Sequence, residues 1–370
     1  MQRRSLFQLA GAAALLRKSL AGQTAAPVRR SGQGGHPESF PAVDRRAAVS
    51  IAKSADRRRT VHDALKAIDP DLRAKMKGKR YVIIKPNFVN TVNQLAASHV
   101  DTMRGILDYL SESFRGPVVI AESSAGNTLQ AYDNFKYSAL PAEYRKQKLK
   151  LIDLNDEAKF EHVALLDSDL HIVPCRIAAR LVDPEAFVIS AAVLKTHNTV
   201  IASLSIKNMV LGAPLHQANG ESTRWNEKRK YHVGLRQTHY NMMVTAQRLN
   251  WGASLIDGWE GMEGNGPNSG TPVASRIALA STDYVAADRI AAETMGINPD
   301  WLGYVKYCGQ LGLGQFDPAK IEIVGAPVVE VKKTYRMHPD IDRELQWQGP
   351  MTELPFNLGW TRALGEERAG

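Results

Sequence analysis

The stretch VISAAVLKTHNT, Val188–Thr199, decides how the rest of the chain is read. It is almost wholly apolar as far as Leu194, then delivers Lys195, Thr196 and His197 in a row. A short apolar run of this kind suits a strand buried on both faces. Residues two apart on a strand face the same side, so Lys195 and His197 are expected to project together. A second stretch, RYVIIKPNFVN (Arg80–Asn90), has the same form: Tyr81-Val-Ile-Ile, then Lys85, Pro86 and Asn87. One lysine at a strand end is ordinarily solvated. Two strand endings of the same type point to a shared site for an anion, because lysine offers a compact positive charge to carboxylate or phosphate.

Working outward, short β-rich runs recur at Tyr81–Ile84, Pro117–Ala121, Leu149–Asp153, Phe187–Leu194, Ala253–Ile256, Arg276–Ala280 and Lys320–Val324. Regular structure is expected to begin at AAVSIAK, Ala47–Lys53. Amphipathic segments lie between the runs. Asp101–Phe114 places Met103, Ile106, Leu107 and Leu110 at helical spacing, and Thr238–Asn250 and Ser281–Gly296 behave likewise. In the last of these, Ser281 or Thr282 suits an N-cap, Gly296 a C-cap, and Asp283 neutralises the helix N-terminus. This alternation predicts an α/β fold, a mainly parallel or mixed sheet with helices on both faces. In open sheets of that kind ligands bind outside the carboxyl ends of the strands.

The 370-residue chain is 44% hydrophobic and 23% charged, as in ordinary globular proteins. Its two cysteines, Cys175 and Cys308, form no C-x-x-C. That excludes a cysteine-rich zinc site and a cluster held by four cysteines of this chain. The N-terminal 26 residues carry Arg3-Arg4-Ser5-Leu6-Phe7, a short apolar run to Leu16, Arg17 and Lys18, then Ala25-Ala26. They resemble a bacterial twin-arginine export signal, which implies the twin-arginine machinery as a partner and a periplasmic or otherwise exported location. Its apolar run is too short to span a bilayer, and no other segment is long and apolar enough for a transmembrane helix. Its four cations account for part of the +9 formal charge, leaving +5. No basic stripe is interleaved with aromatics, so nucleic-acid binding is not expected. Residues 27–47 read as a Gly/Pro/Ser-rich linker, residues 48–332 as one α/β domain, and residues 333–370 as an irregular tail. The polar, basic, aromatic stretch Ala213–Gln237 is long enough to be functional or disordered.

The candidate chemistry gathers at a few places. IASLSIKNMVLGAP, Ile201–Pro214, adds Lys207 and Asn208 to Lys195 and His197. Asn208 brings donors and an acceptor to an apolar setting, although this pair could equally cap a helix. IAESSAGNTL, Ile120–Leu129, reads as a strand ending at Glu122, a small-residue turn beginning at Ser123, and a helix; it is not a Walker A loop. Glu122 suits acid–base work, metal binding or helix capping. LIDGWEGMEGNGPNSGTP, Leu255–Pro272, places Asp257, Glu260 and Glu263 three apart among glycines. As a flexible oxygen-rich loop it would suit a divalent metal, Mg²⁺ or Ca²⁺; as a glycine loop its carboxylates would cap backbone donors. Asn265 in the same stretch is a candidate ligand contact, and Gly-x-Gly-x-x-Gly is not matched, which argues against a dinucleotide. His216, His232 and His239 are further candidates for metal or proton transfer.

Taken in order, VIIKPNFV, VVIAESSAG, VLKTHNTVIASLSIKNMVLG, LIDGWEGMEGNGPNSGTP, STDYVAADRIAAETMGI and GLGQFDPAKIEIVG resemble the bacterial and archaeal domain-of-unknown-function family number 362, over about residues 80–325. Many relatives append a ferredoxin-like segment with two four-iron clusters, which implies redox work; this chain lacks the cysteines for it. From the residues themselves the expectation is an exported protein that binds an anionic small molecule. Lys85, Asn87, Ser123, Lys207, Asn208 and Asn265 would bind it, Lys195, His197 and Glu122 would carry the chemistry, and Asp257, Glu260 and Glu263 would hold the metal. A cofactor-binding or redox accessory protein and a non-catalytic solute-binding module stand as alternatives.

Overall fold

The computed structural model describes residues 43–349. The export-signal segment, most of the linker and the last residues of the tail lie outside the described residues. The chain enters through β1 (Ala47–Lys53), α1 (Arg57–Ala67) and α2 (Asp69–Met76). It continues through β2 (Tyr81–Lys85), α3 (Val100–Ser113), β3 (Val118–Glu122), α4 (Thr128–Asn134), α5 (Leu140–Glu143) and β4 (Lys150–Asp153). A hairpin, β5 (Phe160–Leu166) and β6 (Ile172–Ala178), precedes the long β7 (Ala186–His197) and short β8 (Ile201–Ser203). Then come α6 (Ser205–Gly212), α7 (Leu235–Ala246), β9 (Ala253–Glu263), β10 (Thr271–Val273), β11 (Ile277–Ser281) and α8 (Tyr284–Thr294). The described chain closes with α9 (Gly303–Gln310), β12 (Ile321–Gly325), α10 (Val328–Val331) and α11 (Ile341–Glu344).

One sheet runs in the order β12-β1-β11-β9-β7-β2-β3-β4, with β8 hydrogen-bonded to β7 and β10 to β9. The five strands from β9 to β4 are parallel neighbours, whereas β11 is antiparallel to both β9 and β1. The sheet is therefore mixed, as the alternation predicts. Both faces are covered. Val82, Ile84, Ile189 and Leu255 pack with α1 and α3 through Val61, Leu65, Met103 and Ile106. Their strand neighbours Ile83, Val188 and Ile256 pack the opposite way, with Ile206, Met209, Met242 and Val285 of α6, α7 and α8. The period of two along β2, β7 and β9 is what a strand buried on both sides requires. All twelve residues of β7 are buried, including Lys195, Thr196 and His197.

Helix ends follow local chemistry. Asp283 caps α8 by accepting from the N–H groups of Val285 and Ala286, both at 3.0 Å, so the cap is Asp283 and not Ser281 or Thr282. Gly296 follows that helix with φ +73°, the left-handed turn in which glycine carries no Cβ penalty. Helix α6 receives its cap from far away: the Asp288 carboxylate on α8 accepts from the N–H groups of Ser205 at 2.8 Å and Ile206 at 2.9 Å. Cys175 and Cys308 are buried free thiols, and burial raises both above the ordinary thiol range. No described helix is long and apolar enough to cross a membrane.

The connections reverse direction at the sheet's centre. From β2 the chain moves through α3 toward β3 and β4; from β7 it moves the other way, to β9. Strands β2 and β7 are parallel neighbours, with Lys85 paired to Ser190. They define a topological switch point, which opens a crevice at the carboxyl end of the sheet.

Candidate functional site

At that point lies a cavity of about 350 Å³. Strand β2 and the turn after it bring Lys85 and Asn87; β3 brings Glu122 and Ser123; β7 brings His197. Helix α6 adds Lys207 and Asn208, and the stretch before α7 adds Lys228, Arg229 and His232. Eight of the residues singled out in the sequence are thus brought together: Lys85, Asn87, Glu122, Ser123, His197, Lys207, Asn208 and His232.

The floor is a buried ion pair. Lys85 Nζ lies 2.7 Å from Glu122 Oε1 and 2.9 Å from Oε2. It also donates to Asn208 Oδ1 at 2.9 Å and to the carbonyl of Pro86 at 2.8 Å. Glu122 further accepts from the backbone N–H groups of Ser123 at 2.8 Å and Phe88 at 3.1 Å. Asn208 in turn donates to the carbonyl of Lys85 and to Ser190 Oγ. Burial pulls the Lys85 ammonium below the ordinary lysine range, and the Glu122 carboxylate opposes that shift. Ser123 is committed as well, donating at 3.1 Å to Asn155 Oδ1 or the Pro214 carbonyl.

Gly212 closes α6 against this pair. A Cβ there would collide with Nζ and Cε of Lys85. We expect Gly212→Ala to cost about 1–3 kcal/mol through overpacking and to displace Lys85. Equilibrium urea unfolding measures the cost, and a cost under half a kcal/mol would mean the pair has room to move.

Above the floor the groups are freer. The Thr199 N–H donates to His197 Nδ1 at 3.0 Å, which places the proton of the neutral ring on Nε2. Burial, followed by the charge of Lys207, holds that imidazole well below its usual range. Lys228 donates to the carbonyls of Leu211 and Pro214. Lys207 makes no hydrogen bond or ion pair among the described residues, although it is only 7% exposed. Burial brings Lys207 and Lys228 down to about 7, with Lys85 adding to the shift at Lys207. His232 at the rim is lowered to about 4 by enclosure and then by Lys207.

Lys195 stands apart. It is fully buried and donates to Asn87 Oδ1 at 2.6 Å and to the carbonyl of Ala96 at 2.7 Å. It does not line the cavity with His197; it fixes Asn87, which does. The strand continues beyond Leu194, but the segment after β2 folds over Lys195 and seals it. Asn265 also lies elsewhere, beside Arg336, Met337 and Pro339, while Pro267 and Asn268 of the same stretch reach the cavity.

The acidic stretch is not a flexible loop. β9 runs through to Glu263, paired by β10. Asp257 and Glu260 both turn to Arg57, and Glu263 lies apart beside Arg336, so the three do not converge. Asp257 forms an ion pair with Arg57 Nε at 3.3 Å and accepts from the Trp259 N–H at 2.9 Å. Thr102 Oγ1 donates to it as well. Glu260 lies 4.0 Å from the same arginine. Glu263 accepts from the Arg336 N–H at 2.9 Å. Arg57 and Arg336 take the place the metal was given, and none of the three acids reaches the cavity.

His239 is a core residue. Its Nδ1 accepts from the Tyr304 N–H at 3.1 Å, and its ring stacks on Tyr304. His216 tethers the cavity wall through Asn155 and the carbonyls of Ser124 and Gln217. Lys228 and Arg229 are the site residues that pattern reading did not single out. Their signal was the basic cluster NEKRKYH inside the long irregular stretch.

Fold and site together define an α/β protein with a cationic crevice at the switch point of a mixed sheet. The family described as "Domain of unknown function (DUF362)" matches residues 82–293, and the chain belongs to that family. The match takes in the strand ends and α6, and it spans the whole stretch that carries Lys228, Arg229 and His232. No curated protein matches the chain. A crystal structure of a Thermotoga maritima protein, solved as a structural-genomics target, aligns with 10% identity and a TM-score of 0.28. The alignment covers 51% of this chain and 50% of that one, so the chain spans about half that protein's length.

Proposed function

We propose that the protein binds a small anionic molecule, a carboxylate or phosphate, in the crevice between β2 and β7 and acts on it by proton transfer. One observation carries this reading. Four lysine or arginine side chains line the cavity against a single carboxylate, and that carboxylate is already bonded to Lys85. Lys207, Lys228 and Arg229 are left to meet an incoming anion, with the Nε2–H of His197 and the amide of Asn87 to orient it. The uncompensated charge costs energy in the empty protein, and an anion relieves it. Glu122 serves the chemistry through Lys85, and Lys195 through Asn87. The twin-arginine motif at Arg3-Arg4 supports export of the folded protein. A fusion of residues 1–26 to a reporter that is active only after export tests that part.

Calorimetric titration with oxalate, citrate and inorganic phosphate tests the binding. Lys207→Met and Arg229→Ala are each expected to weaken affinity about ten- to hundredfold, the loss of one charge-assisted contact. Equal affinity in wild type and both variants, or equal binding of an uncharged analogue, overturns the reading.

The pH dependence has a definite sign. Lys207 and Lys228 face Lys85, Glu122, His197, Arg229 and His232 across the cavity. Both lysines are cationic below about 7 and lose charge as pH rises through it. Anion affinity should therefore be greatest below about pH 7 and fall above it, by at most about tenfold per unit for each proton linked to binding.

A further inference from the structure

Three lysines are buried around the crevice and a fourth, Lys228, is half-buried; three of the four are committed. Lys85 holds Glu122 and Asn208, Lys195 holds Asn87 and Ala96, and Lys228 holds two backbone carbonyls. Lys207 holds nothing among the described residues, yet it faces the cavity. Lys207 has burial without a partner and a neighbouring cation, the two conditions that release a lysine amine as a nucleophile at neutral pH. Burial and Lys85 bring it down to about 7. Opposite it, His197 offers an imidazole that stays neutral and carries its proton on Nε2. A neutral imidazole N–H is suited to polarising a carbonyl oxygen.

We propose that Lys207 is a covalent catalytic residue, whose amine condenses with the carbonyl carbon of a small 2-oxo carboxylate held in this cavity. The proposal rests on the anion-binding reading above and names its substrate class. Arg229 and Lys228 hold the carboxylate. The Lys207 nitrogen lone pair forms the N–C bond while the carbonyl π electrons move to oxygen, which His197 Nε2–H stabilises. The carbinolamine then breaks its C–O bond as nitrogen forms the C=N double bond. The two protons of the amine leave with that oxygen as water, so no oxidant or reductant is consumed. The resulting imine withdraws electrons from the adjacent carbon, the effect needed for proton abstraction or carbon–carbon cleavage next to it.

The test is reductive trapping on the full-length protein. Pyruvate and 2-oxoglutarate are each incubated with the protein and sodium cyanoborohydride, and every lysine is read by peptide mass mapping. The expected result is one reduced adduct per chain, on Lys207. It should fall about tenfold or more when lactate, which lacks the carbonyl, occupies nine-tenths of the sites. It should also vanish in Lys207→Met. Because the wild-type map is decisive by itself, the result does not depend on how that variant folds. Calorimetric binding of lactate with no adduct on Lys207 overturns the imine and leaves the anion site standing. Failure of lactate and both oxo acids to bind, with adducts scattered over exposed lysines, overturns the 2-oxo acid assignment, and failure of oxalate, citrate and phosphate as well overturns the anion site.

Discussion

Glu122→Ala will destabilise the protein by about 3–5 kcal/mol, the cost of stranding a buried charge. That is a large part of the roughly 5–15 kcal/mol that holds a typical domain folded. Lys85 is 1% exposed and cannot recover its lost partner from water. The substitution also strips acceptors from the N–H groups of Ser123 and Phe88. Glu122→Gln should cost less, because an amide oxygen still accepts while the charge is gone. Lys85→Met combined with Glu122→Leu should recover much of the loss, since removing both charges abolishes the desolvation penalty. The recovery is incomplete because Asn208 and the two amides stay unpaired. Equilibrium urea unfolding of wild type, Lys85→Met, Glu122→Leu and the variant carrying both closes a double-mutant cycle. A loss below about 1 kcal/mol in Glu122→Ala would place the pair among solvent-screened surface bridges and remove it as the foundation of the site.

That pair also shows what the sequence discloses. Lys85 and Glu122 each close an apolar run, so their position at the carboxyl ends of strands was legible from hydrophobicity alone. Their contact was not, because it depends on β2 and β3 being parallel neighbours. The same holds across the sheet. The seven β-rich runs all became strands; in the inner ones, β2, β3, β7, β9 and β11, both faces are covered, which forces continuous apolar sequence, whereas β4 and β12 are half-exposed edges. The hairpin β5–β6 escaped notice. It forms a separate two-stranded sheet, and Phe160 and Ile172 on it remain exposed, so no two-sided burial marks it. Helix α1 was hidden by its first turn, Arg57-Arg58-Arg59, which reads as a solvated charge cluster. Asp56 makes that turn viable by capping the Arg59 N–H at 2.7 Å.

The site divides along similar lines. His197 and Lys195 have the same strand parity, and parity correctly put both on one side. What parity cannot carry is the path of the next segment, which lays Asn87 and Ala96 over Lys195 and leaves His197 open. The three acids of β9 failed for the opposite reason. Glycine between them suggested a flexible loop, whereas pairing with β7, β10 and β11 holds the segment extended. There Gly261 serves close packing: a Cβ would strike the Tyr335 hydroxyl and the Leu194 carbonyl.

Asp288→Ala will cost about 2–6 kcal/mol and will disturb the site from behind. The carboxylate is fully buried and caps the first turn of α6, the helix that carries Lys207 and Asn208. Its loss leaves two buried N–H groups unpaired, at about 1–3 kcal/mol each. Asp288→Asn separates charge from capping, since the amide oxygen still accepts. Burial raises the Asp288 carboxyl to about 8, against the lowering effect of the two N–H donors. A carboxyl whose folded value exceeds its unfolded value holds its proton longer in the native state. Its contribution is therefore full below the unfolded value of about 4 and is lost as pH rises toward 8. The stability gap between wild type and Asp288→Asn should move in favour of the asparagine across that window and be flat above it. Taking the difference removes the opposing contributions of Lys207 and Lys228, which are common to both proteins. A gap that stays constant from about pH 4 to 8 would mean that α6 is capped by an ionised carboxylate throughout. The first turn of α6, the helix that carries Lys207, would then rest on a fixed negative charge.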